Sequence, residues 1–154
     1  MLEGSKHMKK SIQLPLQTGD LIVGFMVWVI LSSLLPYILQ DIAIPPDRVA
    51  LVTAVPVILG SVLRVPLGYL TNRLGARTVF LASFVCLLLP VWLISEATTY
   101  EALITGGVFL GIGGSVFSVG VTSLPKYYPR ERHGFVNGVY GFGNMGTALT
   151  TWLA

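Results

Sequence analysis

One arginine lies inside a stretch that is otherwise apolar enough to cross a membrane. Arg64 falls within residues 51–70, a run of about the 20 residues that a helix needs to cross a ~30 Å hydrocarbon core. A guanidinium group keeps its charge, and placing it at the bilayer centre costs ~2.5–3.5 kcal/mol unless it faces a polar cavity or an anion. The run contains no acid to pair with it. Arg64 is therefore a candidate anion-binding residue; the alternative is that its long side chain extends to the headgroups near Leu70.

Two asparagines offer further donors in a glycine-rich run near the end of the chain. Asn137 and Asn144 lie within residues 135–154. An amide inside a membrane needs partners, and glycines let neighbouring helices come close enough to supply them. The preceding apolar run, 102–124, is also rich in glycine, and for most of its glycines we favour helix packing. Phe117 in that run is a candidate cavity aromatic, although a single phenylalanine usually packs.

The elements that must position these side chains are membrane-spanning helices. Of the residues, 53% are hydrophobic and 11% are charged, against roughly 25% charged in soluble domains. This composition predicts an all-α polytopic protein embedded in a lipid bilayer, and it gives no indication of nucleic acid as a partner. The spans are predicted at residues 21–39, 51–70, 78–95, 102–124 and 135–154, the last of them incomplete.

The ends of two spans carry local signals. Thr18 and Asp20 are placed to cap the start of the first span. Pro56 and Pro66 flank Arg64, and an irregular helix at membrane depth is tolerated where it lines a cavity or packs on protein, which favours the site interpretation. Residues 1–10 resemble an expression tag or a cytoplasmic tail, and we separate them from the fold predicted for 11–154.

The distribution of lysine and arginine predicts the orientation in the membrane. Among the ten, Arg64 lies within a span and Arg48 follows the first span. The other eight precede the first span or join spans two to three and four to five: Lys6, Lys9, Lys10, Arg73, Arg77, Lys126, Arg130 and Arg132. Basic connectors stay on the cytoplasmic side. We therefore expect a multi-pass protein of the cell membrane with a cytoplasmic amino terminus.

No residue pattern predicts an enzyme, a metal site or a cofactor. Cys86 is the single cysteine, and His7 and His133 lie far apart in the sequence, which leaves no disulfide and no metal motif to propose. We find no nucleophile and base pair and no carboxylate pair within reach of one another.

Residues 68–77, GYLTNRLGAR, resemble the loop between the second and third helices of major facilitator transporters, G-x-L-a-D-r-x-G-r-r. Gly68, Arg73, Gly75 and Arg77 match this motif. Asn72 stands where the family has an acid, which leaves open the gating salt bridge that the family builds there. The glycine allows a tight turn, and arginines stay at the anionic leaflet. The resemblance implies the N-terminal part of a major facilitator superfamily helical bundle.

Within that superfamily, two further segments resemble the nitrate/nitrite porters. Residues 111–118, GIGGSVFS, resemble the family's G-x-G-G-x-x-F segment in helix four. Residues 141–146, GFGNMG, resemble its nitrate signature G-x-G-N-x-G in helix five, with Gly141, Gly143 and Gly146 as the glycines. The resemblance implies transport of nitrate, nitrite or both.

The resemblance also assigns roles to four residues. It implies that Arg64 binds the anion, that Asn144 donates to it and that Phe117 flanks it, with Phe25 a weaker match. Nitrate is a planar monoanion, and a guanidinium fork offers it paired N–H donors that a lysine does not.

The resemblance further implies a larger protein. The family carries twelve spans in two halves that alternate access to a central site, so we expect this chain to be a fragment that lacks its C-terminal half and does not transport alone. We find no acid inside the predicted spans, which argues against a carboxylate proton relay within this piece. Two alternatives stay open: a facilitator for another small anion or solute, and a small helical assembly subunit whose glycines serve helix association.

Overall fold

The computed structural model describes the backbone of residues 2–154 and the side chains of residues 11–154. The segment 1–10, predicted to be a tag, therefore lies outside the described side chains. Within the described backbone the helices are α1 (Leu2–Trp28), α2 (Ile30–Asp41), α3 (Pro46–Leu74), α4 (Ala76–Ser95), α5 (Tyr100–Ser115), α6 (Phe117–Ser123), α7 (His133–Gly141) and α8 (Met145–Leu153). Short 3₁₀ turns at Leu124–Lys126, Arg130–Arg132 and Phe142–Asn144 connect the later helices.

Within the part of the chain that the structure describes, four stretches are long and apolar enough to cross a membrane: Ser11–Asp41, Pro46–Leu74, Ala76–Ser95 and Tyr100–Lys126. The first of these joins α1 and α2, and the fourth joins α5, α6 and the turn that follows. Each contains enough residues at ~1.5 Å rise to cover a ~30 Å hydrocarbon core. The prediction of an all-α polytopic membrane fold is confirmed.

The first span begins earlier than its apolar run indicated. Helix α1 continues through Thr18 and Asp20, so the prediction that these residues cap its start is wrong. Thr18 Oγ1 instead donates to the carbonyl of Leu14 at 2.8 Å, and the preceding turns already supply the backbone partners that a cap would provide. Asp20 is thus an acid inside the first span, whereas we had expected none there.

The fifth segment is broken rather than continuous. Helices α7 and α8 are separated by the turn Phe142–Asn144, which lies within the glycine hexapeptide. The segment packs on α1 at two glycines: a Cβ at Gly143 would come within 2.5 Å of the Leu21 side chain, and one at Gly146 would meet the carbonyl oxygen of Ile22. Helix α8 therefore approaches α1 closely enough for backbone contact.

The centre of the bundle is a crossing of α1, α3 and α5 at glycines. A Cβ at Gly111 would lie 2.9 Å from the backbone nitrogen of Gly60, and one at Gly113 would lie 2.8 Å from the carbonyl oxygen of Gly24. Small residues allow this separation between membrane helices. Helix α3 is consequently held directly against α5 at the level of Gly60.

The connection between α3 and α4 is a tight turn. Gly75 has a φ of 84°, a left-handed conformation that residues with a Cβ rarely adopt. The chain therefore reverses at this residue, and Arg73 and Arg77 fall on either side of the turn, as the loop motif predicted.

Candidate anion-binding site

Arg64 is partly compensated by groups on the neighbouring fourth span. Its Nε donates to the carbonyl of Gly114 at 3.4 Å, and its guanidinium carbon lies 5.2 Å from the centre of the Phe117 ring. Both interactions stabilise a cation, the second through the negative face of the ring. The carbonyl uses one of the five N–H donors of the guanidinium group, which leaves the paired donors on the Nη atoms for an oxyanion.

The carbonyl that receives Arg64 lies beside a break in the fourth span. Helix α5 ends at Ser115 and α6 begins at Phe117, so the regular pattern of backbone hydrogen bonds is interrupted between them. Side chains bind four carbonyls around this break: Ser115 Oγ at Ile112 (2.7 Å), Arg64 Nε at Gly114, Ser118 Oγ at Ser115 (2.9 Å) and Tyr140 Oη at Val116 (3.2 Å). The break therefore provides acceptors for α3 and α7 at one level of the bundle.

Phe117 is held in place by aromatic neighbours. The Phe25 ring stacks on the Phe117 ring with centroids 6.3 Å apart, and the Tyr140 ring contacts it in a tilted arrangement with centroids 5.7 Å apart. Phe25 is only 2% exposed, while Phe117 is half-buried. Phe117 thus presents one side to Arg64, and Phe25 packs behind it in the core.

Asn144 is the predicted site residue whose side chain the structure does not bring to Arg64. Its Nδ2 donates to the carbonyl of Gly141 at 3.2 Å, within its own turn, and the residue is exposed. Gly143, just before Asn144, and Gly146, two residues after it, pack on α1, whereas a Cβ at Gly141 would meet nothing within 4 Å. The signature glycines therefore fall into a packed pair and an open one.

The basic connectors meet at one end of the bundle. Lys126 Nζ donates to Asn72 Oδ1 at 2.7 Å, which links the end of the fourth span to the loop motif at the position where the family has an acid. Arg73 packs over the ring of Tyr69 at 4.7 Å. Gly68, at the start of the motif, faces the fourth span, with a Cβ placed there 3.3 Å from Thr122 Oγ1.

The remaining connector arginine lies apart from this end. Arg48, at the start of α3, has its guanidinium carbon 5.7 Å from the ring of Tyr100, at the start of α5. The two ends of the bundle therefore differ in charge, as the distribution of lysine and arginine predicted.

Several residues that build the site were missed by sequence reasoning. Trp28 donates from Nε1 to the carbonyl of Pro56 at 3.0 Å, and its ring occupies the space beside Gly114. Ser123 donates to Gln17 Oε1 at 2.8 Å as a buried pair between the first and fourth spans. The sequence carries no signal for the Trp28 bond, because a proline at position 56 frees the carbonyl of Val52 and not its own.

In this site the Arg64 cation lies beside the Phe117 ring, at the level of the break between α5 and α6. This arrangement suits a small planar anion, because the guanidinium fork supplies charge and paired donors while the ring supplies an apolar wall. The described contacts hold Arg64 and Phe117 from two neighbouring helices and leave the donors of the Nη atoms for a ligand.

Comparison with known proteins agrees with this architecture. The pattern of the Major Facilitator Superfamily matches residues 21–154. A Bacillus subtilis protein named "Nitrite extrusion protein" is 62% identical over 146 residues, which are 95% of this chain and 37% of that protein. Proteins named "Probable nitrate transporter NarT" from Staphylococcus carnosus and Staphylococcus aureus are 54% and 53% identical, each over 38% of its length. The chain thus spans less than half of these relatives, and by the match along residues 21–154 it belongs to the Major Facilitator Superfamily.

Proposed function

We propose that the chain forms part of a transporter that moves nitrate, nitrite or both by alternating access, with Arg64 binding the anion. The observation that carries the proposal is the placement of Arg64 between the Gly114 carbonyl and the Phe117 ring. Two weak partners stabilise the charge without neutralising it, so an anion completes the coordination. The names of the relatives support the choice of anion.

The roles of the other site residues follow from their positions. Phe117 forms the wall of the site, and Phe25 supports it from behind, because Phe25 is buried and stacks on its ring. Asn144 is exposed on the turn between α7 and α8. We propose that it exchanges its bond to Gly141 for a bond to the anion when the bundle changes conformation, since a donor with a local acceptor is released at low cost.

The rest of the proposal concerns the membrane and the remaining protein. We propose that the protein lies in the plasma membrane with its amino terminus in the cytoplasm. Arg73, Arg77 and Lys126 lie at one end of the bundle, and basic connectors stay on the cytoplasmic side. A further set of spans, on the face of the bundle that carries Arg64, completes the site and provides the second half of the alternating-access movement. The role is transport rather than catalysis.

The test uses a protein of full transporter length that contains this chain. The 146 matched residues replace the corresponding segment of the Bacillus subtilis relative, and nitrate and nitrite flux are measured in proteoliposomes. We expect flux in the chimera and a loss of at least about 100-fold in Arg64→Gln, because two charge-assisted hydrogen bonds are worth ~1.5–3 kcal/mol each and ~1.4 kcal/mol is tenfold. Arg64→Lys retains the charge but not the paired donors, and most of the flux is lost with it.

Arg48→Gln is the matched control. Arg48 is an exposed arginine of the same helix, packed on Tyr100 at the opposite end, and its loss leaves flux within about twofold because exposed interactions contribute little. Insertion and elution profile separate folding from transport. Unchanged flux in a well-inserted Arg64→Gln variant would contradict the proposed anion site and favour the alternative that the Arg64 side chain extends to the headgroups.

A further inference from the structure

A long apolar groove runs along the outside of the bundle, away from Arg64. One wall is a stripe of leucines on α3, and the other walls are formed by α4 and α5. We call it the leucine groove and define it by Leu59, Leu63, Leu67, Leu70 and Leu74. It has a volume of about 470 Å³. The stripe covers 15 residue steps of α3, or about 22 Å at ~1.5 Å per residue.

The depth of the groove matches one leaflet of a bilayer. Leu59 lies near the middle of α3 and Leu74 is its last residue, so the groove extends from the membrane centre to the end that carries the loop motif. With its headgroup region, one leaflet measures about half of a ~40–45 Å bilayer, close to the ~22 Å of the stripe. A phospholipid of that leaflet, head and acyl chain together, therefore lies along the whole stripe.

Arg77 lies where the groove reaches the membrane surface. A second groove of about 480 Å³ shares Thr78, Ala82 and Cys86 with the leucine groove and is also lined by Arg77. Arg77 is the second residue of α4 and is exposed. An apolar channel with a cation at its headgroup end has the charge distribution of a binding site for one lipid molecule with an anionic head.

We propose that the leucine groove holds the acyl chain of an anionic glycerophospholipid, with its phosphate on the Arg77 guanidinium. An arginine matches phosphate oxygens with paired donors. A transmembrane helix in the same groove would have to bring an acid to the depth of Arg77, whereas a phospholipid carries its phosphate there. Asp20 lines a separate cavity with Arg77, between α1 and α4, so the phosphate binds on the side of α4 that faces the leucine groove.

The chain supplies its own probe for this site. Cys86 is the only cysteine, it is exposed and it lines the groove near the middle of α4. A bimane label on Cys86 reports the nearby acyl chains when these carry bromine atoms that quench its fluorescence. The full chain is reconstituted in nanodiscs with phosphatidylcholine and a small fraction of brominated phosphatidylglycerol or, in parallel, brominated phosphatidylcholine, each brominated in the distal half of its acyl chains.

We expect brominated phosphatidylglycerol to quench Cys86 with about fivefold higher apparent affinity than brominated phosphatidylcholine, the factor that one arginine near an anionic head provides. Arg77→Gln removes the preference and Arg77→Lys retains most of it. Arg73→Gln is the matched control, because Arg73 lies across the same turn but packs on Tyr69 and is outside the groove. Ala82→Phe, which fills the groove at an exposed position, reduces quenching by phosphatidylglycerol to the phosphatidylcholine value.

Three results would overturn the proposal. Equal quenching by both lipids means that the groove does not distinguish anionic heads. An equal loss of preference in Arg73→Gln and Arg77→Gln means a general attraction to surface charge rather than a site. Absence of quenching by either lipid means that another helix or a second copy of the chain covers the groove. Helical content and a monodisperse elution profile show that each variant is folded.

Discussion

The fourth span and the first half of the fifth segment are both rich in glycine, yet the structure uses their glycines in opposite ways. In α5 and α6 the glycines are closed by neighbouring helices: Gly106, Gly107, Gly111, Gly113, Gly114 and Gly120. In α7, a Cβ at Gly134 or Gly138 would meet nothing within 4 Å. Glycine content alone therefore does not separate a packing surface from an open one. The difference lies in whether a second helix packs at that level, through its backbone or through a side chain.

The largest effect is expected when one methyl group is added to a glycine in each of the two regions. In Gly111→Ala the Cβ would lie 2.8 Å from Leu59 Cβ and 2.9 Å from Gly60 N, so α3 and α5 must separate. Overpacking of this kind costs about 1–3 kcal/mol. Gly138→Ala has open space and gains about 0.5–1 kcal/mol from helix propensity. Thermal unfolding in detergent measures both changes.

The two variants are expected to shift the unfolding midpoint in opposite directions. A similar loss in both would mean that the open face of α7 is covered by part of the protein that the described residues do not include. No loss in Gly111→Ala would mean that the crossing of α3 and α5 can relax, and the glycines of the fourth span would then not be needed for packing.

A second test concerns the contact between the two glycine-rich regions. The ring of Tyr140, on α7, fills the space beside Gly120 on α6, and its hydroxyl donates to Val116. Tyr140→Phe keeps the ring and removes the bond. We expect a loss of about 0.5–1.5 kcal/mol, near the lower end because the carbonyl also accepts from the Val119 backbone at 3.0 Å.

The control for this variant is Tyr37→Phe. Tyr37 is 55% exposed at the far end of the first span, so removal of its hydroxyl leaves the unfolding midpoint unchanged. If Tyr140→Phe is equally silent, the ring alone joins the fifth segment to the fourth, and the break at Val116 does not depend on α7.

The comparison also shows how far the sequence determines the structure. Apolar composition predicted an all-α polytopic membrane fold, and the motif predicted the turn at Gly75, because both depend on local chemistry. The contact between Arg64 and Phe117 was not predicted: the resemblance implied that both lie beside the anion, and the need of a cation at membrane depth for a partner does not say which residue provides it. The contacts of Trp28 with Gly114 and of Gln17 with Ser123 were not predicted either. Lipid and protein interior are equally apolar, so the pattern of a span does not reveal which of its faces meets another helix.

The wrong prediction of a helix cap at Thr18 and Asp20 has a physical origin. Thr18 and Asp20 follow a polar stretch and precede an apolar one, which is the pattern of a helix start. The helix instead crosses that boundary and continues toward the amino terminus. The change in composition marks where the surroundings change from water to lipid and does not mark a change in backbone conformation. The bond from Asn144 to the Gly141 carbonyl was also not predicted, because it depends on a 3₁₀ turn that the glycine pattern did not indicate.

The smallest expected effect concerns the end of the fourth span, where Lys126 binds Asn72 on the loop motif. The pair is exposed, so Asn72→Ala costs no more than about 1 kcal/mol of stability. Asn72→Asp restores the acid of the family motif and turns the hydrogen bond into an ion pair that weakens with salt. At low salt we expect the highest unfolding midpoint for Asn72→Asp, a lower one for the unchanged chain and the lowest for Asn72→Ala. At high salt the midpoint of Asn72→Asp falls to that of the unchanged chain. A midpoint for Asn72→Ala equal to that of the unchanged chain at both salt concentrations would show that the loop motif and the fourth span are held together without this bond. The packing of Gly68 on Thr122 would then be the contact that fixes the loop.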